Sequence, residues 1–393
     1  MSYRVAFPDG LDVFRLLSDD GNQTLSPPQK ELGIEGFSTL NPPLPPPEEC
    51  LAIWRAMTTT RIMDDRMMKL QRQGRVAFVG TSTGQEAAIH GSGAVPGQDD
   101  WVFSALREGG VAIQRGMPID EYISHMFGNA NDTAKGRQMP NHFQCKDVNF
   151  PSWGSVLGTQ LPHAVGAALA MKQRGEDNIC LAYTGDGATS SCGFHSAVNF
   201  AAVTKAPVVF CIIDNGWAIS VPSANQTKSR SYATKAKAYG LPGLDVDGND
   251  PLACWSAVKM AADRARRGEG PSLIALRTYR MGGHSSSDDP SRYRQDAEVA
   301  HWAGRDPVSR FEQYIYAGDI AAKAELQCYR ETREEEILQG VARAEKVGAP
   351  SLETLVTDVF ADPPRHLRKQ VVEALKLVAE KGEAEAIAGK FPL

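Results

Sequence analysis

Residues 178–191 read NICLAYTGDGATSS, an apolar run that stops at an aspartate, Asp186, set between two glycines. Ile179–Tyr183 shows no polar–apolar alternation, so it reads as a strand buried on both faces. Gly185 and Gly187 let the chain bend sharply and approach a ligand closely, leaving Asp186 at the strand's carboxyl end. GFHSAVNFAAVTK (193–205) then has helical character, and APVVFCIIDN (206–215) is a second strand rich in branched apolar residues. PLACWSAVKMAADRARRG (251–268) and PSLIALRTYR (271–280) repeat the helix–strand alternation. Such units with continuous apolar strands imply an α/β fold, a parallel sheet with helices on both faces. Ligands of such sheets bind at the carboxyl ends of the strands. Three loops fall there: GDGATSS (185–191), DNGWAIS (214–220) and RMGGHSSSDD (280–289).

Outward from this centre, residues 48–73 carry apolar residues at helical spacing, through Leu51, Trp54, Met57, Met63, Met67 and Leu70. GQEAAIHGSGAV (84–95) starts another helix, and SVLGTQLPHAVGAALAMKQRG (155–175) reads as one rich in small residues. Residues 1–47 lack a helical or strand period and end in NPPLPPPEE, where proline excludes helix. The expected organisation is an extended arm over 1–47, lying on the surface of the protein or of a partner, an α/β domain over 48–304, and a charged helical segment over 305–393 packed on it.

The 393-residue chain has a net charge of −5 and 42% apolar residues, which excludes a polycationic nucleic-acid binder. No run of roughly 18 apolar residues predicts a membrane span. MSYRVAFPDG lacks a secretory pattern, so the protein is expected in bacterial cytoplasm or, in a eukaryote, an organellar matrix. The seven cysteines are scattered without a CxxC pair, which argues against disulfide frameworks and zinc sites.

Between Gly187 and Asn215 lie one crossover helix and one strand, so Asp186 and Asn215 should end adjacent strands, within reach of one ion. A carboxylate, an amide oxygen and the Trp217 carbonyl, two residues on, are hard oxygen ligands suited to Mg²⁺ beside phosphate oxygens. A GDG turn followed at this interval by an asparagine resembles the thiamine-diphosphate motif. QRQGR (71–75), GRQMPNHF (136–143), DNGWAIS and YRMGGHSSSDDPSRYR (279–294) extend the resemblance over about residues 50–300. It is to the α subunits of 2-oxo acid dehydrogenase E1 components, branched-chain members above all.

The resemblance implies thiamine diphosphate and Mg²⁺ as cofactors, the ion held by Asp186, Asn215 and Trp217. It implies cofactor contacts from Arg107, Ser155, Leu157, Gly185, Gly187 and His284. His284 is the implied catalytic residue, set near the diphosphate and the reacting carbon. Arg280, Ser285 and Asp288 are expected to order the loop around it. Thr159 and Gln160 match a K⁺ site, although Gly154 departs from that pattern. The implied reaction is decarboxylation of a 2-oxo acid, of the 2-oxoisovalerate type, with acyl transfer to the lipoyl arm of an E2 partner. The activating glutamate belongs to a β subunit in this family, so an α₂β₂ heterotetramer is implied.

Two departures stand out: Ile213 where branched-chain relatives often carry an arginine, and Ala105–Leu106 where a polar residue and a tyrosine are usual. They leave open a pyruvate or acetoin dehydrogenase E1 α subunit, or a regulatory subunit without catalysis. A nicotinamide oxidoreductase would need a G-x-G-x-x-G turn, which the chain lacks. His90, His142, His163 and His195 are read as structural.

Overall fold

A computed structural model describes residues 13–22 and 41–382. Its centre is a five-stranded parallel sheet of β1 (Trp101–Phe103), β2 (Cys180–Gly185), β3 (Val208–Asp214), β4 (Gly243–Asp247) and β5 (Ser272–Arg277). The order is β1-β2-β3-β5-β4. The α/β expectation holds, and so does the adjacency of the two key strands. Gly185 pairs in register with Ile213, and Asp214 with Arg277.

The sheet's period of two divides the core. Leu181 and Tyr183 of β2, with Val209, Cys211 and Ile213 of β3, face one apolar layer. Helices α1 (Pro47–Arg72), α2 (Glu86–Gly93) and α7 (Pro251–Arg266) contribute to that layer. Cys180, Ala182, Val208, Phe210 and Ile212 face the other, beneath α5 (Gln160–Gln173) and α6 (Cys192–Thr204). The short helices α3 (Gly109–Gln114) and α4 (Ile119–Phe127) follow β1 and flank the first layer.

Helix initiation follows local chemistry. Ser191 Oγ accepts from the Phe194 amide to cap α6, and Asp250 accepts from the Ala253 amide to cap α7, whose first residue is proline. Helix α5 begins at Gln160, five residues later than its small-residue pattern implies, because 155–159 form an irregular turn beside the sheet.

Phe14, Leu16 and Leu17 do not lie on the surface as the arm reading expected, whereas Asp19, Asp20 and Asn22 are exposed. Phe14 exchanges backbone hydrogen bonds with Asp245 and Asp247, extending the sheet beyond β4, and Phe14 and Leu17 are fully buried. Asp250 Oδ2 accepts from the Leu16 and Leu17 amides at 2.6 and 2.7 Å. Burial of these large side chains outweighs the absence of local periodicity. The rest of the arm before residue 41 lies outside the described residues.

After β5 come α8 (Asp296–Ala303), α9 (Pro307–Ala317), α10 (Lys323–Ala344), α11 (Thr354–Thr357) and α12 (Arg365–Lys381). Helices α9 and α10 pack on the domain through Phe311, Ile315, Leu326, Ile337 and Val341. None of the residues of α12 is buried.

Candidate active site

The three loops anticipated at the strand ends converge on one cavity of about 330 Å³. Arg107, Ser155, Leu157, Gly185, Asp186, Gly187, Asn215, Trp217 and His284 all line it. They come from five separate segments, brought together by the parallel register of β2, β3 and β5.

Asp186 is buried at the end of β2. Its Oδ2 accepts from Ser223 Oγ at 3.0 Å and from Gln226 Nε2 at 2.8 Å, and both donors are neutral. Burial raises its carboxyl above the ordinary range despite these bonds. The same Ser223 hydroxyl lies 2.9 Å from Asp214 Oδ1, so two carboxyls share one donor. Asp214 is pushed up to about 7, by burial first and then by the charge of Asp186. Asn215 donates to Gln85 Oε1 at 3.0 Å and accepts from the Trp217 amide at 3.2 Å, an Asx-type turn that aims the loop. Gly187 is required by packing: a Cβ there would stand 2.6 Å from Ala218 Cβ.

The cavity lining also carries cations. Arg107 Nη2 donates to the His284 carbonyl at 2.7 Å, and its Nη1 donates to the Thr81 carbonyl. Burial, then the nearby Arg280, lowers Arg107 to about 10, so it stays charged at neutral pH. Burial, then Arg107 and Arg280, lowers His284 to about 4, so its ring is neutral. Asp288 holds the His284 backbone amide at 2.6 Å. Arg280 donates to the carbonyls of Trp217 at 3.2 Å and Ile219 at 2.7 Å, clamping the loop after β3. Ile219 has φ +55°, a strained value for a branched residue. The bonds made by Arg107 and Arg280 are to backbone carbonyls, to the His284 Nδ1 at 3.5 Å and to the Tyr293 hydroxyl, not to carboxylates. Two guanidiniums in one cavity form a site for an anion.

The donor set fits a diphosphate held through a divalent ion. Asp186 contributes a carboxylate without a direct cationic partner, and Asn215 and Trp217 add amide and carbonyl oxygens. Buried polar atoms also remain unpartnered in the cavity wall: Gln85 Nε2, Gln160 Oε1 and Thr184 Oγ1. Gln160 Oε1 is an oxygen of the kind K⁺ takes, whereas Thr159 Oγ1 is engaged by the Val156 carbonyl at 2.9 Å. Among the described residues no group of three His, Cys, Asp or Glu side chains could hold a metal, so a cation here relies on neutral oxygens.

Ile213 and Leu106 line the cavity as apolar residues, so neither position supplies a cation. Glu108 also lines it, but its Oε2 accepts from the Ala105 and Arg107 amides at 2.8 and 3.2 Å, tying the carboxylate to the backbone.

Sequence reasoning missed Gln85, Thr184 and His142, all of which line the cavity. Gln85 and His142 lie in irregular loops, where no periodicity marks which side chains turn inward. The TGDG turn placed Thr184 at a strand end and gave that signal, unread.

The family model described as Dehydrogenase E1 component matches residues 54–353. The chain is 41% identical over 324 residues to 2-oxoisovalerate dehydrogenase subunit alpha 2, mitochondrial, of Arabidopsis thaliana, covering 82% of this chain and 69% of the relative. It is 36% identical over 375 residues to the 2-oxoisovalerate dehydrogenase subunit alpha, mitochondrial, of Mus musculus, covering 95% and 82%. The corresponding Caenorhabditis elegans subunit is 41% identical over 336 residues, covering 85% and 78%.

Proposed function

The chain belongs to the dehydrogenase E1 component family, and we propose that it is the α subunit of an E1 decarboxylase acting on branched-chain 2-oxo acids of the 2-oxoisovalerate type. Membership implies thiamine diphosphate as cofactor. The reading is supported above all by one cavity lined together by Asp186, without a direct cationic partner, Asn215 and Trp217, and by the guanidinium of Arg107 and the ring of His284. The relatives' names support the choice of substrate.

In this reading Asp186 Oδ, Asn215 Oδ1 and the Trp217 carbonyl hold Mg²⁺, and Arg107 pairs with the diphosphate. Thr159 and Gln160 hold K⁺ as a secondary proposal. When bound, the cofactor supplies a carbon nucleophile and an electron sink for decarboxylation. Neutral His284, its backbone held by Asp288 and Arg107, donates a hydrogen bond to a phosphate oxygen or to an oxyanion developing on the substrate. Buried Ile213 gives the cavity an apolar wall, and Leu157, exposed at the cavity's edge, would contact the bound cofactor. Glu108 is tied to backbone amides, and the family resemblance assigns the activating carboxylate to a β subunit. The working unit is an α₂β₂ heterotetramer that passes its acyl group to the lipoyl domain of an E2 partner. Among the described residues no helix is long and apolar enough to cross a membrane, and we place the enzyme in bacterial cytoplasm or an organellar matrix.

Co-expression with the β subunit, then decarboxylation assays with an artificial electron acceptor, tests this. Preference for 2-oxoisovalerate over pyruvate, dependent on thiamine diphosphate and Mg²⁺, is expected. Preference for pyruvate would overturn the substrate assignment, and no turnover by a well-formed tetramer would overturn the catalytic one.

A further inference from the structure

His142, set aside in the sequence as structural, lies against the cofactor cavity in a rigid setting. It is buried, and Trp153 stacks on it with ring centroids 4.2 Å apart and planes inclined by 28°. The preceding Asn141, at φ +70°, pins the loop to Gly80: its Oδ1 accepts from the Gly80 amide at 2.9 Å and its Nδ2 donates to the Gly80 carbonyl at 3.3 Å. The ring's two nitrogens meet different partners. Nδ1 lies 3.2 Å from the Met139 carbonyl and 3.3 Å from the Pro140 carbonyl. Nε2 lies 2.6 Å from Ser155 Oγ.

These partners fix the direction of the chain of hydrogen bonds. A carbonyl oxygen only accepts, so Nδ1 must carry a hydrogen. Burial lowers the ring's pKa, favouring the neutral form. Neutral imidazole with Nδ1–H has a bare Nε2, which only accepts. The Ser155 hydroxyl must therefore donate to Nε2. Its remaining capacity toward the cavity is two lone pairs and no hydrogen.

We propose that His142 is a positioning residue that makes Ser155 a pure hydrogen-bond acceptor toward the cavity, matched to a ring-bound amino group such as that of the cofactor's aminopyrimidine. This rests on the cofactor reading above. A serine left free to rotate would offer its hydrogen as readily as its lone pairs. The histidine removes that alternative and selects a ligand ring presenting N–H over one presenting only acceptors.

The test uses the chain complexed with its β subunit and two variants, His142→Gln and His142→Met. Both lose the stacking on Trp153, but only glutamine keeps an oxygen acceptor near the position of Nε2. Nitrogen-15 NMR of the wild-type imidazoles, with His142 assigned by its loss in the variants, is expected to show a neutral ring protonated on Nδ1. Calorimetric titration with thiamine diphosphate and Mg²⁺ is expected to show roughly tenfold weaker binding for His142→Met. Affinity within about twofold of wild type is expected for His142→Gln. A thiamine diphosphate analogue lacking the exocyclic amino group should bind wild type and His142→Met alike. A ring protonated on Nε2, or equal cofactor affinity for wild type and His142→Met, overturns the proposal. Absence of Mg²⁺-dependent cofactor binding in the wild type overturns instead the cofactor reading beneath it.

Discussion

Asp186 and Asp247 both stand at carboxyl ends of strands in the same sheet, and both are buried. Their surroundings are opposite. Asp247 Oδ2 is 3.1 Å from Arg310, 3.3 Å from Arg305 and 3.3 Å from Arg15. Burial raises its carboxyl, but these three cations outweigh burial and hold it below the usual range. Asp186 accepts directly from neutral donors, Ser223, Gln226 and the Gly187 amide, feels Arg280 only at a distance, has Asp214 as a like-charged neighbour, and its carboxyl is raised by burial. Where a charge serves the fold, the chain supplies its counter-charge. At Asp186 the chain supplies no cation in direct contact and opens a cavity beside it, as the proposed ligand role requires.

The largest expected effect separates the two sites by stability. Asp247→Ala strands Arg310, whose side chain is 1% exposed, and should cost on the order of 3–5 kcal/mol in urea unfolding. Asp186→Asn removes an uncompensated charge and should leave the cofactor-free chain's stability within about 1 kcal/mol of wild type or raise it. A comparable loss for both would erase the contrast.

On the cationic side, Arg107→Met removes a guanidinium bonded to two carbonyls and to the His284 ring, with no carboxylate partner. Calorimetry should show cofactor affinity weaker by roughly ten- to a hundredfold, the scale of one charged hydrogen bond. An unchanged affinity would mean that Arg107 is structural.

A smaller effect appears in pH dependence, where Asp64 resembles the site rather than the ionic cluster. Burial pushes its carboxyl up to about 7, against a single bond from the Ser82 amide. The folded chain then binds a proton that the unfolded chain has released. Asp64 should therefore make the cofactor-free protein lose stability as pH rises from about 4 to 7, by up to about 1.4 kcal/mol per unit. The contribution of Asp247 has the opposite sign: present above the ordinary carboxylate pKa, it is lost as pH falls through its depressed one. Unfolding midpoints measured from pH 4 to 7 should flatten in Asp64→Asn, and an unchanged slope would assign the effect to another group.

The inner strands were legible because burial on both faces writes an unbroken apolar run, as in Ile179–Tyr183 and Val208–Ile213. The edge strands were not. β1 is three residues long, and β4, Gly-Leu-Asp-Val-Asp, breaks its apolar run with Asp245 and with Asp247, which ends the strand in an ionic cluster. The acidic wall could be anticipated from the chain, since Asp186 and Asn215 follow from strand adjacency alone. Arg107, Ser155 and His284 needed the family resemblance, because loop residues meet only through the tertiary fold. His142 escaped both routes: its part depends on which carbonyls its own loop turns toward Nδ1.

In the proposed function, Asp186 lacks a direct cationic partner so that it can hold a cation with the cofactor. This is measured by the Mg²⁺-dependent affinity for thiamine diphosphate of the α–β complex, wild type against Asp186→Asn, with unfolding midpoints taken on the same samples. The expected result is a loss of affinity of roughly a hundredfold or more with no loss of stability. Equal affinity in the two proteins, or a loss that merely tracks unfolding, would contradict it.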